Sequence, residues 1–340
     1  MDIKIGTFNL FNLVKPGERY YNKKPYSDQE FREKSAWIAG QLKRMGAHFV
    51  GFQEVFHESA LKQVIRDSGL FEEQNTFAPG ANGEGPRVGF ATTLPLLGPP
   101  TPIADFPEKL DFSIEGVPFP VSSFRRPVLK VGVRFPNGQP VTIFNAHLKS
   151  KRPMVAAGKQ HDPIERTLGK ARSLIVRAAE AAALRSILVD ELQQNQHPVI
   201  VLGDLNDAVP AVTTEMVAGS PPWRYLPAQQ KKAIWDVLLY STYDIQARRS
   251  FRDVNYSQIH NGRYETLDHI LVSQEFYRFN PNRIGEVNYL RFFNDHLIDE
   301  TLSNDRPNRI VSDHGQLVVT LRLREERPVR RAESLSIVPY

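Results

Sequence analysis

The chain has no cysteine, and this absence removes several classes of function at once. Disulfide scaffolds, thiolate nucleophiles, zinc–thiolate sites and iron–sulfur clusters all depend on that side chain. The sequence also lacks a run of about 18 apolar residues, the length that a helix needs to cross a bilayer. Its first residues, MDIKIGTFNLF, begin directly as a strand pattern, without the basic start and apolar core of a secretory signal. We therefore expect a cytoplasmic protein, unless a leader has been removed.

The overall composition is typical of a globular protein. Of the 340 residues, 41% are hydrophobic and 24% are charged, which is enough to build a core and too little charge to favour disorder. The net charge is +5 and the isoelectric point is about 9.3. A mildly basic surface suits a polyanionic substrate, but an excess this small is equally typical of ordinary surface charge.

Strand and helix patterns alternate along the chain, which indicates an α/β fold. Residues 3–10 alternate as a strand, and either Ser27 or Asp28 is placed to cap the helix that follows. The longest helical pattern covers residues 165–193. Its apolar side is predicted to contain Leu168, Ala171, Leu174, Ile175, Ala178, Ala182, Leu188 and Leu192.

Turns and loops divide these elements. The Asn-Gly pair in PNGQ, between PVLKVGVRF and PVTIFNAHL, predicts a hairpin. Residues 78–121 are rich in proline and predict a long irregular stretch with one strand near RVGFATTL, in which GANGEG forms a turn. LDHILVS and GQLVVTLRL are predicted to be the last two strands. We predict a single domain over residues 1–324 and a loosely ordered tail over 325–340.

Polar side chains follow six apolar runs, each where a strand is predicted to enter or leave a loop. Carboxylates and amides gathered at one sheet edge suit a hard divalent cation such as Mg²⁺, and histidines nearby suit proton transfer or stabilisation of an oxyanion. The residues are Asn9, Glu54, Asn145 with His147, Asp204 with Asn206, Asp268, and Asp313 with His314.

Spacing within these clusters gives further expectations. In GDLND, Asp204 and Asn206 leave the same side of an extended segment. In NAHLKS, Asn145, His147 and Lys149 share one side, and the lysine favours phosphate binding. Each motif also has a simpler interpretation, such as an Asx-turn or a buried structural histidine.

SDHG and FRRP supply the remaining candidates. Asp313 and His314 are adjacent, so His314 needs a carboxylate from elsewhere to orient its ring and raise its pKa, and Asp268 is the candidate. Arg125 and Arg126 are an arginine pair, one of which could bind a phosphate.

The ordered set N…QE…RP…NAHL…GDLN…LDHI…SDH resembles the endonuclease/exonuclease/phosphatase superfamily, which includes deoxyribonuclease I and neutral sphingomyelinases. The resemblance extends from Asn9 to about residue 323. It implies a four-layered α/β sandwich, in which two mixed β-sheets pack face to face and are flanked by helices. It also implies a site at one end of that sandwich.

The resemblance further implies roles for individual residues. Asn9, Glu54 and Asp313 would bind the metal, which is Mg²⁺ with Mn²⁺ as an alternative. Asp204 would activate the attacking water, and His314 paired with Asp268 would face the phosphate. The phosphate oxygens would be bound by Asn206, His147, Arg126, Asn145 and Lys149. A tyrosine contributes in many members, but the sequence does not place one.

Three functions are consistent with this pattern. The first is a metal-dependent endonuclease that cleaves nucleic acid by in-line attack of water. The second is a phosphatase or phosphodiesterase acting on a phosphoinositide, a phospholipid or a small phosphate ester. The third is a nucleic-acid-binding protein that keeps the fold without catalysis. Nucleic acid is the expected substrate, and nothing in the sequence implies a stable protein partner or a membrane span.

Overall fold

The fold is given by a computed structural model, which describes residues 1–113, 121–193, 195–250, 255–302 and 308–324. The tail predicted over 325–340 lies outside the described residues. Elements are numbered here along the chain.

The first sheet has six strands in the order β13-β14-β1-β2-β4-β3. β1 runs parallel to β2 and antiparallel to β14, so the sheet is mixed. Its strands are β1 (Asp2–Leu13), β2 (Phe49–His57), β3 (Thr76–Phe77), β4 (Asn82–Thr92), β13 (Gly285–Phe293) and β14 (Gln316–Leu323).

The second sheet also has six strands, in the order β5-β6-β7-β8-β12-β9. β7 and β8 are parallel, and the other neighbouring pairs are antiparallel. Its strands are β5 (Thr101–Asp105), β6 (Ser123–Arg134), β7 (Pro140–His147), β8 (Val199–Asp204), β9 (Leu239–Ser241) and β12 (Asp268–Ser273). A small separate hairpin pairs β10 (Gln258–His260) with β11 (Arg263–Glu265).

Helices cover the outer faces of the two sheets. They are α1 (Asp28–Met45), α2 (Glu58–Ser68), α3 (Pro163–Leu192), α4 (Val212–Ala218), α5 (Ala228–Asp236) and α6 (Thr242–Ala247). α1 and α2 share a core with β1 and β2, and α3 shares one with β7 and β8. A third core lies between the sheets. The predicted four-layered α/β sandwich is therefore confirmed.

Strand alternation decides which side chains lie between the sheets. In β1, Ile3 and Ile5 enter the core between the sheets, whereas Phe8 and Leu10 face the helices. In β8, Ile200 and Leu202 likewise lie between the sheets. Because successive side chains alternate, Asn9 and Asp204 continue the inward-facing rows to the end of each strand.

α1 begins and ends where the sequence indicates. The Ser27 hydroxyl accepts a hydrogen bond from the Glu30 N–H at 3.2 Å, and the Glu30 carboxylate accepts one from the Ser27 N–H at 2.8 Å. This capping box selects Ser27 over Asp28 as the N-cap. Gly46 ends the helix in the left-handed conformation, with φ of 53°.

The apolar side predicted for α3 is wrong in its first half. Leu168, Leu174 and Ile175 are exposed, whereas Arg177 and Glu180 are buried. The physical reason is that backbone groups of the loops at the end of the second sheet need hydrogen-bond partners. Glu180 accepts from two backbone N–H groups there, and Arg177 donates to a carbonyl oxygen.

Three strand predictions need correction. Residues 78–121 contain β5 (Thr101–Asp105) in addition to the one strand predicted there. GANGEG is predicted to be a turn, but its last four residues belong to β4, which begins at Asn82. β13 was missed, so the strands of LDHILVS and GQLVVTLRL are not consecutive. Its pairing with β14 shifts register between Val287 and Tyr289, and this irregularity breaks the alternation that identifies a strand.

No helix within the described ranges combines the length and the apolar character needed to cross a membrane.

Candidate active site

Predicted residues from both sheets meet at one end of the sandwich. The register of the second sheet pairs His147 with Asp204 across β7 and β8, and Asp204 with Asp268 across β8 and β12. Asn9 of β1 and His314, just before β14, reach the same place from the first sheet. Side chains separated by up to three hundred positions in sequence are therefore in contact.

Asp204 is the centre of this arrangement. Its Oδ2 accepts a hydrogen bond from Asn9 Nδ2 at 3.1 Å, and it lies 3.4 Å from His147 Nε2 and 3.9 Å from His314 Nε2. Its Oδ1 accepts from the Asn206 N–H at 2.9 Å. The carboxylate is thus fixed on both oxygens and joins the two sheets.

Gly203 allows β8 to approach β7 at this point. It has φ of 131°, and a Cβ there would lie 1.9 Å from the Ala146 carbonyl oxygen. A side chain at this position would force Asp204 away from His147.

His314 is oriented by Asp268, as predicted. Its Nδ1 lies 2.7 Å from Asp268 Oδ2, and its Nε2 lies 3.2 Å from Gln258 Nε2. Burial alone lowers the pKa of His314, but the carboxylates of Asp268 and Asp204 together raise that pKa well above its usual value. The raised pKa favours the cationic ring, whose Nε2 lies 3.9 Å from Asp204 Oδ2. Both nitrogens of that ring donate, so the Gln258 amide is its partner only with the amide oxygen turned toward Nε2.

The pKa of His147 is shifted in the opposite direction to that of His314. Burial, followed by the charge of Arg126, lowers the pKa of His147 well below its usual value. Its Nδ1 is buried and has no hydrogen-bond partner among the described residues. The two histidines that flank Asp204 therefore have pKa values shifted in opposite directions, a division typical of acid–base sites. Burial also raises the pKa of Asp204, with the charge of His314 acting in the other direction.

Glu54 reaches the site through an irregular backbone. Regular alternation would place Glu54 beside Phe52, on the helix side of β2. Instead, Glu54 adopts φ of 62°, and the pairing of β2 with β4 shifts register between Phe52 and Val55. A left-handed conformation in a residue other than glycine costs about 1–3 kcal/mol and is typical of functional sites. The bulge turns the carboxylate toward the open end of the sandwich.

Asp313 is close enough to Glu54 for its charge to act on that carboxylate, and the two residues are called the acidic pair here. Glu54 Oε2 accepts a hydrogen bond from the Asn12 N–H at 2.9 Å, and Asp313 is exposed nearby. Burial raises the pKa of Glu54, and the charge of Asp313 raises it further. Two carboxylates that repel each other at a partly open position fit a hard divalent cation, because the cation would relieve that repulsion.

A second grouping of ligand types does not fit a metal as well. Ligand atoms of Asp204, Asp268 and His314 lie within 4.8 Å of one another. Both nitrogens of His314 already face carboxylates, and a histidine must be neutral to bind a metal. This grouping is better explained as a carboxylate–imidazolium pair beside a second carboxylate.

Asn9 belongs with Asp204 rather than with the acidic pair. Its Nδ2 donates to Asp204, and its Oδ1 accepts from the Phe11 N–H at 3.0 Å. The Asn9 carbonyl oxygen keeps a second lone pair, so its predicted role as a metal ligand stays a prediction.

The structure distinguishes the two arginines of FRRP. Arg126 donates to the carbonyl oxygens of His147 at 3.3 Å and Leu148 at 3.1 Å, while its Nε is buried without a partner. Its charge acts on Glu54 and His147, so it lies at the site. The side chain of Arg125 is exposed.

Asn145 does not fit the predicted phosphate-binding role. It is fully buried, and its Nδ2 donates to the carbonyl oxygens of Phe52 and Gly89 at 3.1 and 2.8 Å. Its Oδ1 accepts from Gln53 Nε2 at 2.8 Å. Every polar atom of this side chain joins one sheet to the other beneath the site.

Asn206 and Lys149 are also turned toward protein partners. Asn206 has φ of 56°, so the segment is not extended, and its Nδ2 donates to the Leu148 carbonyl oxygen at 3.0 Å. The prediction that the Asn206 side chain leaves the same side of the segment as Asp204 is therefore wrong.

Lys149 Nζ donates to the carbonyl oxygens of Ser150 and Arg152 at 2.9 and 3.0 Å.

Sequence reasoning missed Glu180 and Tyr21. Glu180 is buried on α3 and accepts from the N–H groups of Arg125 at 2.8 Å and Lys149 at 2.6 Å, so it holds both loops in place. Its signal was a charged residue within an alanine-rich helix. Tyr21 is 57% exposed, and burial together with the charge of Glu54 raises its pKa. It is a tyrosine on which the charge of Glu54 acts, and nothing in the sequence singled it out.

Comparison with known proteins identifies a family profile. Residues 6–314 match the profile described as the Endonuclease/Exonuclease/phosphatase family. No curated protein sequence gives a significant match.

Several solved structures share the fold at low sequence identity. A humanized D. rerio TDP2 carrying 14 mutations is 14% identical, and the match covers 94% of this chain and 99% of that one with a TM-score of 0.56. A Bacteroides vulgatus endonuclease/exonuclease/phosphatase is 12% identical, with 95% and 100% coverage and a TM-score of 0.55. D. rerio TDP2 complexed with a single-strand DNA product is 14% identical, with 94% and 99% coverage and a TM-score of 0.54. At these identities the likeness shows the fold alone.

Proposed function

Because the chain belongs to the endonuclease/exonuclease/phosphatase family, we propose that it is a metal-dependent phosphodiester hydrolase and that nucleic acid is its substrate. One observation carries the proposal: Asp204 Oδ2 lies 3.4 Å from His147 Nε2 and 3.9 Å from His314 Nε2, and the carboxylates of Glu54 and Asp313 are at the same end of the sandwich. This combination suits attack of water on a phosphate.

In the proposed reaction, Asp204 orients the attacking water and accepts its proton as the new P–O bond forms. The P–O bond to the leaving oxygen breaks, and that oxygen takes a proton from solvent. The raised pKa of Asp204 makes it a stronger base than an ordinary aspartate. His314 Nε2 donates to a non-bridging phosphate oxygen and stabilises the charge that develops there. Asp268 keeps the imidazole of His314 cationic and correctly oriented. His147 and Arg126 contribute further donors to the phosphate.

Glu54 and Asp313 would bind the divalent cation, for which we propose Mg²⁺ or Mn²⁺. When bound, such a cation supplies Lewis-acid neutralisation of phosphate charge. The strained conformation of Glu54 directs its carboxylate to that position, and the Asn12 N–H holds one of its oxygens there. Because the Glu54 carboxylate is already fixed, less conformational entropy is lost when the cation binds.

Basic side chains around the site favour a polyanion over a small ester. Arg125, Arg126 and Arg152 belong to the same rim, and Arg125 and Arg152 are exposed. Lys151 is partly exposed there, although it also pairs with Glu265 at 2.9 Å. One solved protein of this fold was crystallised with single-strand DNA, which makes DNA a suitable first substrate to test.

The test is hydrolysis of a substrate panel with and without chelator. The panel contains supercoiled DNA, single-stranded DNA, RNA, inositol phosphates and sphingomyelin, each with Mg²⁺ or Mn²⁺. We expect chelator-sensitive cleavage of nucleic acid that weakens as salt concentration rises, because backbone contacts release counterions. Cleavage of inositol phosphates or sphingomyelin alone would move the assignment to the phosphatase alternative. Binding of DNA without cleavage by either metal would favour the non-catalytic one.

Arg126 and Arg125 offer a matched pair for a first variant. We expect Arg126→Ala to lower kcat/KM by about 10²-fold, which is the effect of removing one charged donor to the reacting phosphate. Arg125→Ala should lower kcat/KM much less, and through KM, because Arg125 is an exposed rim charge and not a donor to the reacting phosphate. Steady-state kinetics on the best panel substrate measures both variants. Equal losses for the two arginines would contradict the assignment of Arg126 to the site.

A further inference from the structure

α1 places one lysine in the interior close to the acidic pair. Lys34 is 0% exposed, which is rare for a lysine. Its Nζ donates to the carbonyl oxygens of Phe11 at 3.1 Å and Arg309 at 3.0 Å, and it lies 5.6 Å from the ring centroids of Phe11 and Tyr26. None of the catalytic roles given above uses this side chain.

The first of these carbonyls belongs to the peptide group that holds Glu54. The Phe11 carbonyl and the Asn12 N–H form one peptide unit, and that N–H donates to Glu54 Oε2 at 2.9 Å. Phe11 and Asn12 have φ of 48° and 61°, so this peptide lies in an irregular part of β1. Burial lowers the pKa of Lys34 to about 7, but its Nζ donates to the Phe11 carbonyl oxygen as an amine or as an ammonium. The hydrogen bond fixes the peptide plane and strengthens the N–H as a donor.

The second carbonyl belongs to the segment that carries Asp313. Arg309 lies four residues before Asp313, and its carbonyl oxygen also accepts from the Tyr26 hydroxyl at 3.2 Å. The Arg309 guanidinium binds Glu30 of α1, with Nε at 3.0 Å from Oε1. α1 therefore anchors the segment that leads to Asp313, and Lys34 connects that anchor to the peptide that holds Glu54.

We propose that Lys34 is a positioning residue for the cation site, because it fixes Glu54 and Asp313 relative to each other through the carbonyls of Phe11 and Arg309. The proposal rests on the proposed function, since it takes these two carboxylates as the cation ligands. Lys34 does not touch the substrate. Its effect is on how well the two carboxylates are preorganised.

Lys34→Met tests the proposal, since methionine keeps an unbranched stem and removes the donor. We expect the Kd for Mn²⁺, measured by electron paramagnetic resonance without substrate, to rise by about 10- to 100-fold, as for residues that orient metal ligands elsewhere. Removing a positive charge would by itself tighten cation binding, so weaker binding cannot come from charge alone. Activity should approach that of the wild type at saturating Mn²⁺. Lys43→Met, an exposed lysine on the same helix, should leave the Kd unchanged.

A double-mutant cycle separates positioning from general destabilisation. In an Asp313→Asn background, Lys34→Met should weaken Mn²⁺ binding much less than in the wild type, because one of the two ligands that it positions is already lost. If Lys34→Met does not fold, Lys34→Gln, which retains a shorter donor, replaces it in the same measurements.

An unchanged or lower Kd in a folded Lys34 variant overturns the inference, and so does full additivity with Asp313→Asn. These results do not depend on catalysis. The proposed function fails separately, if the wild-type protein hydrolyses nothing in the panel.

Discussion

Replacing His314 by alanine is expected to lower kcat by about 10²- to 10³-fold, as when a donor to developing negative charge is removed from other active sites. The ring is the charged donor nearest to Asp204, and Asp268 holds its Nδ1 at 2.7 Å. Alanine removes both the charge and the directed Nε2 without adding bulk. The measurement is kcat on the best nucleic-acid substrate, with circular dichroism to verify the fold.

The pH dependence of the wild type gives a second measurement of His314. Burial opposes its charge, but Asp268 and Asp204 raise its pKa well above the usual value, so the ring stays cationic through neutral pH. A step that needs the cation therefore loses rate only as pH rises through that raised pKa, on the alkaline side of an ordinary histidine. His260→Ala, at an exposed position on the β10–β11 hairpin, is the control and should match the wild type. Near-wild-type turnover in His314→Ala would remove this residue from the mechanism.

Asp204→Asn is expected to have an effect at least as large, with kcat reduced by about 10²- to 10⁴-fold, the range for loss of a general base. Asparagine has nearly the same shape and retains an acceptor for the Asn206 N–H. The change therefore removes the basic oxygen while keeping most of the packing. Single-turnover hydrolysis at saturating metal separates this effect from changes in product release.

The acid limb of the pH–rate profile should identify Asp204 as the base. Burial raises its pKa, so it becomes deprotonated only at a pH above the ordinary range of an aspartate. The rate should then rise with pH through that raised value and reach a plateau. In Asp204→Asn the residual rate should lack this limb. A limb that persists unchanged in the variant would assign the titration to another group.

Local pattern was sufficient for much of the fold. The run PVIVLGD becomes β8, a strand buried on both faces, because a continuous apolar run can pack on both sides. The Asn-Gly turn places β6 against β7, with Leu129 opposite Asn145. The capping box at Ser27 starts α1 through contacts within four residues. In each case the deciding interactions are close in sequence.

Local pattern was misleading or silent where a distant part of the chain provides the hydrogen-bond or ion-pair partner of a buried side chain. Asn145 has the residue type and the position of a phosphate ligand, but β2 and β4 supply carbonyls that use its amide completely. On α3, Arg177 is buried because Asp207 lies 3.1 Å from its guanidinium. Lys34 is buried because two carbonyls from remote segments accept its hydrogen bonds. None of these partners is visible in a local window of sequence.

Whereas the sandwich was implied by the family resemblance, the sequence by itself determined an α/β fold, the strand ends at which the polar side chains lie, and Asp268 as the candidate partner of His314. Periodic burial and residue chemistry carry that information, since a strand's faces and a histidine's need for a carboxylate are properties of short segments. Only the tertiary structure decided which way the Glu54 carboxylate turns, which arginine enters the site, and which side-chain amides remain available to bind a phosphate. Those outcomes depend on bulges and on long-range hydrogen bonds, whose energies appear only once both sheets are packed together.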